Sequence, residues 1–172
     1  DRWLPFRLLD PNGDPVEVVS AYFRDLQAAG RSAATIRSYG LDLLRWFRFL
    51  WAIGIAWDRA TRVEAREFSR WMLLAGQPSR PHWRHLDRSA PPRPKVQPYA
   101  ASVRAHSETV LRCFYDFHLG LGDGPTVNPF PLDRSRGAGR AHAHHNPMEP
   151  YRNTRQGLYR PKVPSRIPRA IS

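Results

Sequence analysis

The 172-residue chain has a single cysteine, Cys113, which excludes a disulfide scaffold and any zinc site built from several thiolates. No run approaches 18 apolar residues, so no membrane-spanning helix is expected. No charged N-terminal stretch leads into an apolar one, so no secretory signal is expected either. A start at Asp1 rather than Met fits a fragment. Acidic residues are few, 15 against 27 Lys plus Arg, and lysine is nearly absent: Lys95 and Lys162 are the only two. Strand-like alternation of apolar and polar residues is convincing nowhere.

Hydrophobic residues make up 41% of the chain and aromatics 12%, enough for a real core and too much for a wholly disordered chain. The length suits one domain, or one domain with a tail. The formal net charge of +12 favours a polyanionic partner, because Lys and Arg release counterions from nucleic-acid phosphates. Arginine suits bidentate contact with phosphate or guanine better than lysine does. Codon bias in a GC-rich genome produces the same arginine excess, and charge alone leaves both readings open.

The pattern predicts four helices. The first spans 14–30, with Asp14 as cap, Pro15 in the first turn, Glu17 in capping-box spacing and Gly30 as stop. Ser32 caps a longer second helix to about Trp51, with Ile36, Tyr39, Leu43, Phe47 and Leu50 as its apolar stripe. Arg37, Ser38, Arg45 and Arg48 lie largely away from that stripe. Thr61 with Glu64 opens a third helix that stops near Gly76. Residues 77–98 hold six prolines and read as an irregular loop. The fourth helix runs from about Tyr99 to Leu119, with Arg104, Glu108 and Arg112 along one face. Residues 133–172 carry nine basic residues against Asp133 and Glu149, have five prolines, and read as a basic linker. The expected organisation is an N-terminal arm (1–13), a helical domain (14–132) and that linker.

Catalytic signals are weak. Gly120, Gly122 and Gly124 follow a helix rather than joining a strand to one, so they read as turn residues and not as a phosphate loop. His142, His144 and His145 cluster in the tail without Cys or paired carboxylates, so no metal site is expected. Cys113 has no sequence-placed base and reads as a buried thiol. His106 and His118 on the fourth helix read as partly buried structural histidines, with a phosphate-facing role open for His106. Ser32, Thr35, Arg37 and Ser38 occupy the first turns of the second helix. There, free backbone N–H groups, the dipole and short hydroxyls attract phosphate. Ser32 as a plain cap and Arg37 as a solvated charge remain equally open.

Two stretches carry a resemblance. Ser32-x-x-Thr35-x-x-x-Tyr39-x-x-x-Leu43, continuing through Trp46-Phe47-x-Phe49-Leu50, resembles the second helix of the N-terminal core-binding domain of tyrosine recombinases, the phage-integrase family. Leu111-Arg112-x-Phe114-Tyr115-x-Phe117-His118 resembles that domain's fourth helix, and Asn128-Pro129 the pair that closes it. Tyr159-Arg160-Pro161-Lys162-x-Pro164-x-Arg166-x-Pro168-Arg169 resembles the segment leading toward the catalytic domain. Each motif alone is short; their order and joint presence carry the likeness.

The resemblance implies an all-α, four-helix SAM-like bundle followed by an irregular basic linker. It implies that the bundle clamps double-stranded DNA by phosphate and major-groove contacts, during DNA integration and site-specific recombination. On matching positions it points to Ser32, Thr35, Arg37, Ser38 and Arg45 on the second helix and to Arg104, His106 and Arg112 on the fourth. It adds Arg160, Lys162, Arg166 and Arg169 of the linker as phosphate contacts. Other recombinase protomers in a synapse are implied partners, and no cofactor, metal, membrane or small-molecule substrate is expected. A bacterial cytoplasmic, nucleoid-associated location follows from the same likeness.

One departure limits it. The family's chemistry needs a catalytic domain that carries its first Arg motif, its His-x-x-Arg motif and its nucleophilic Tyr; no such domain is recognised in residues 1–172, and it is expected to begin after Ser172. The chain is therefore expected to bind DNA without cutting it, and to have no catalytic residue. The rival readings are a helix-turn-helix DNA-binding regulator and a helical protein-interaction module.

Overall fold

The computed structural model describes residues 5–75, 77–78, 96–133 and 156–163. Four α-helices form the body: α1 (Glu17–Ala28), α2 (Ala33–Ile53), α3 (Arg62–Leu74) and α4 (Ala101–Leu121). This is the all-α bundle expected. The sequence gives no sign of the 3₁₀ turn Trp57–Arg59, or of the ladder that pairs Gln77 with Gln97 and Pro78 with Val96. A pairing two residues long needs no apolar alternation to announce it.

Local signals set the ends of α2 and α3. Ser32 Oγ accepts the Thr35 amide at 3.2 Å, and Gly54 closes α2 in the left-handed conformation, φ 68°. At α3 the Thr61 amide donates to Glu64 Oε2 at 2.7 Å while Thr61 Oγ1 accepts the Val63 amide at 3.1 Å. Partial burial works against the Glu64 charge, but the hydrogen bonds from Thr61 prevail and hold its carboxyl below the usual value.

The start of α1 differs from expectation. Asp14 does not cap it; the helix begins at Glu17, with Val16 in the capping position and no side-chain cap. Asp14 is engaged upstream instead. Asp10 Oδ1 accepts the amides of Asn12 (2.8 Å) and Asp14 (2.9 Å), and Leu9 bridges Pro15. The Asx-type turn captures the residue that would otherwise have capped the helix.

Trp46 of α2 is the centre of the core and is fully buried. Phe68, Phe130 and Tyr115 meet its ring edge-on at 5.1, 5.2 and 6.2 Å, and its Nε1–H donates to Tyr115 Oη at 2.9 Å. Tyr115 Oη in turn donates to the Trp57 carbonyl at 3.0 Å, tying the 3₁₀ turn to α4. Helices α1 and α2 approach closely at Gly40, where a Cβ would lie 3.1 Å from the Phe23 ring. Asn128 explains the Asn-Pro pair in physical terms. Its Nδ2 donates to the Arg112 carbonyl (3.0 Å) and Asp116 Oδ1 (2.7 Å), while its Oδ1 accepts the Phe130 amide (2.8 Å). That turns Phe130 into the core.

Part of the stretch read as a linker is packed structure. The Asp133 amide donates to the Gln156 carbonyl (2.7 Å) and the Leu158 amide to the Pro131 carbonyl (2.9 Å), so residues 156–163 return to the bundle. Gly157 sits directly on the Glu108 carboxylate of α4, with no room for a Cβ. Arg62 Nε of α3 donates to Tyr159 Oη at 3.1 Å. Among the described residues no helix is long and apolar enough to cross a membrane.

Candidate functional site

About 3.6 residues make a helical turn, so positions 37, 41, 45 and 48 of α2 form one stripe. Arg37, Leu41 and Arg48 are exposed there and Arg45 is half-buried, with Ser38 exposed at its edge. Arg48, which the family resemblance does not single out, completes an arginine row. The spacing 37–45–48 is its sequence signal.

Arg45 is held rather than free. Its Nη1 donates to Asp42 Oδ1 at 2.5 Å, and its guanidinium lies 5.4 Å from the Tyr99 ring centroid. Asp42 is buried, and α4 reaches it twice: Ser107 Oγ donates to Oδ1 at 2.5 Å, and His106 Nδ1 lies 2.6 Å from Oδ2. A carboxylate offers only acceptors, so His106 Nδ1 carries the hydrogen. The His106 side chain stays 46% exposed, and Tyr39 meets its ring edge-on at 5.7 Å. Asp42 thus brings together two expected site residues from different helices, Arg45 and His106. Sequence reading misses Asp42 and Ser107 because the contact spans 64 positions and depends on how α2 meets α4.

The other expected residues fall elsewhere. Ser32 and Thr35 hydrogen-bond each other at 2.9 Å, so the α2 cap is largely satisfied internally. Arg104 turns back to the Tyr99 carbonyl (Nε–O 3.2 Å) and lies about 160° around α4 from His106. Arg112 pairs with the buried Glu108 at 3.3 Å, and Arg160 donates to Thr109 Oγ1 at 2.7 Å. Burial pushes the Glu108 carboxyl up, while the charges of Arg112 and Arg160 pull it back down. Lys162 is exposed. Arg166 and Arg169 lie outside the described residues, as do His142, His144, His145 and residues 79–95.

His118 is structural. It is buried among Phe114, Trp57 and Phe117 at 4.7–4.9 Å between ring centroids, and its Nε2 donates to the Val18 carbonyl of α1 at 3.1 Å. Burial lowers its pKa, and Nδ1 has no partner. The unfolded chain therefore binds a proton more readily than the folded one. That stability is present above the ordinary histidine value of about 6.5 and is lost as pH falls below it. Thermal melts across that range are expected to show the decline, and His118→Gln to flatten it. An unchanged slope in the variant removes His118 from the acid response. Burial likewise pushes the Cys113 thiol up, which suits an inert, half-buried thiol rather than a nucleophile.

Among the described residues no group of three His, Cys, Asp or Glu is placed to hold a metal ion. An open groove of about 570 Å³ between the start of α3 and residues 124–131 is lined by Arg59, Thr61, Arg62 and Asn128. Arg62 and Asn128 there already hold Tyr159 and α4.

Residues 19–86 match the family model of the phage integrase N-terminal SAM-like domain, a span that covers most of α1, all of α2 and α3, and none of α4. No curated protein and no solved structure matches the chain.

Proposed function

We propose, from the premise that residues 19–86 are a phage integrase N-terminal SAM-like domain, that this bundle is the DNA-clamping part of a tyrosine recombinase. Such a domain belongs to a DNA-recombination setting, with DNA and recombinase partners in general. The specific reading is that α2 and the adjoining edge of α4 lie against duplex DNA and grip it chiefly through phosphates. The observation that carries it is the row Arg37, Arg45 and Arg48 on one face of α2, beside which Asp42 holds α4 through His106. Arginines on one helix face present their charge to one surface, and arginine holds phosphate in a bidentate fork. The His-x-x-Arg spacing at His85–Arg88 lies in the proline-rich stretch outside the described residues, and no catalytic domain of the family is recognised around it. The chain by itself is assigned binding and not cutting.

Binding of a fluorescent duplex, titrated at several salt concentrations, tests this. Log affinity is expected to fall linearly with log salt, with a slope of about −0.9 for each phosphate neutralised. Affinity indifferent to ionic strength would exclude the electrostatic grip and favour a helical protein-interaction module. Nicking of supercoiled plasmid by this chain would overturn the assignment of binding without chemistry.

A further inference from the structure

The Asp42 cluster does more than join two helices. Its carboxylate takes the Nδ1–H of His106, and that choice fixes the other ring nitrogen. In the neutral ring Nε2 is then an acceptor with an open lone pair. Nε2 has no partner among the described residues, on a side chain 46% exposed. Ser107 and Arg45 fill Oδ1, so the carboxylate is held in place and Oδ2 is left for the imidazole. The groups facing the ring are Asp42, Arg45 and Tyr39 from α2 and Ser107 from its own helix. None offers Nε2 a proton.

We propose that Asp42 is a positioning residue that makes His106 a reader of base identity. An acceptor repels phosphate oxygens and base carbonyls, and pairs with an exocyclic amino group. In a major groove those groups are cytosine N4 and adenine N6. His106 therefore selects an amino-bearing base at one position, while the neighbouring arginines supply affinity without sequence preference. The inference rests on the DNA-binding reading above and adds to it a residue, an atom and a class of base.

Selection from a randomised duplex pool by the whole chain, at mildly alkaline pH, separates the two. The unaltered chain is expected to enrich C or A at one position by several-fold, with His106→Ala erasing that preference and leaving the rest of the motif. Asp42→Asn can donate to Nδ1 and so release the opposite tautomer, with Nε2–H outward. It is expected to reject C and to admit G or T at that position, with adenine N7 still able to accept. A pool retained in a salt-sensitive manner, with no position responding to either variant, overturns the inference and leaves the clamp standing. A pool not retained at all overturns the clamp. A measurement on the unaltered protein needs no variant to fold: long-range ¹H–¹⁵N spectra at the same pH are expected to show the Nδ1–H tautomer of His106. The Nε2–H tautomer there refutes the role of Asp42.

Discussion

Replacing Trp46 by alanine is expected to cost about 3–5 kcal/mol of unfolding free energy, the range for truncating a fully buried large aromatic. Total stability of a domain this size is about 5–15 kcal/mol, so the variant is expected to be marginal at room temperature. The size of the effect follows from what the ring touches. Phe68 of α3, Tyr115 of α4 and Phe130 of the closing turn all stand edge-on to it within 6.2 Å. No single neighbour can move into the space without leaving another. Trp46→Phe separates packing from polarity. It keeps most of the volume but removes the Nε1–H that Tyr115 Oη accepts. That oxygen still donates to the Trp57 carbonyl, so the cost is expected to be about 1–2 kcal/mol. Urea unfolding followed by circular dichroism reads both; a decrease below about 1 kcal/mol for the alanine variant refutes the central role given to this ring.

The largest expected effect on binding belongs to the paired change Arg37→Ala with Arg48→Ala. Both side chains are exposed, and no hydrogen bond or ion pair among the described residues holds either. Their removal should leave helix content and melting temperature nearly unchanged, as surface substitutions usually do. Removing one arginine that neutralises a phosphate lowers the salt slope by about one and weakens binding to all sequences alike. The pair is therefore expected to reduce affinity on the order of tenfold to a hundredfold, with a slope shallower by about two. Arg45 is a poorer test residue, because its truncation also strips a donor from the buried Asp42 carboxylate. Full affinity in the double variant, with helicity intact, would move the interface off this face of α2.

How much of the molecule is legible in residues alone depends on range. Ser32, Gly54, Thr61 and Glu64 act within a few positions of themselves, and the bounds of α2 and α3 follow from them. Asp14 misleads because two local motifs compete for it, and the turn organised by Asp10 prevails. The arginine row on α2 is a matter of period, and Arg48 alone escapes the family likeness. Asp42 is not legible, since a polar residue beside an apolar stripe gains its meaning only when α4 brings Ser107 and His106 to it. Arg112 and Arg160 look like free charges in sequence. Arg112 pairs with Glu108 one turn back, and Arg160 reaches Thr109 only because residues 156–163 return to the bundle. The likeness to a known family supplies the fold early, while the match over residues 19–86 leaves α4 to be argued from geometry.

The two backbone pairings, Pro78 with Val96 and Asp133 with Gln156, have a consequence for how the ends of the bundle are held. One excursion leaves at Pro78 and re-enters at Val96; the other leaves at Asp133 and re-enters at Gln156. In each the ends are held side by side by hydrogen bonds. Each pairing thereby fixes where the chain leaves the bundle and where it returns, so the approach to α4 through Tyr99 and the seat of Tyr159 beside α3 are set by backbone hydrogen bonds as well as by side-chain packing.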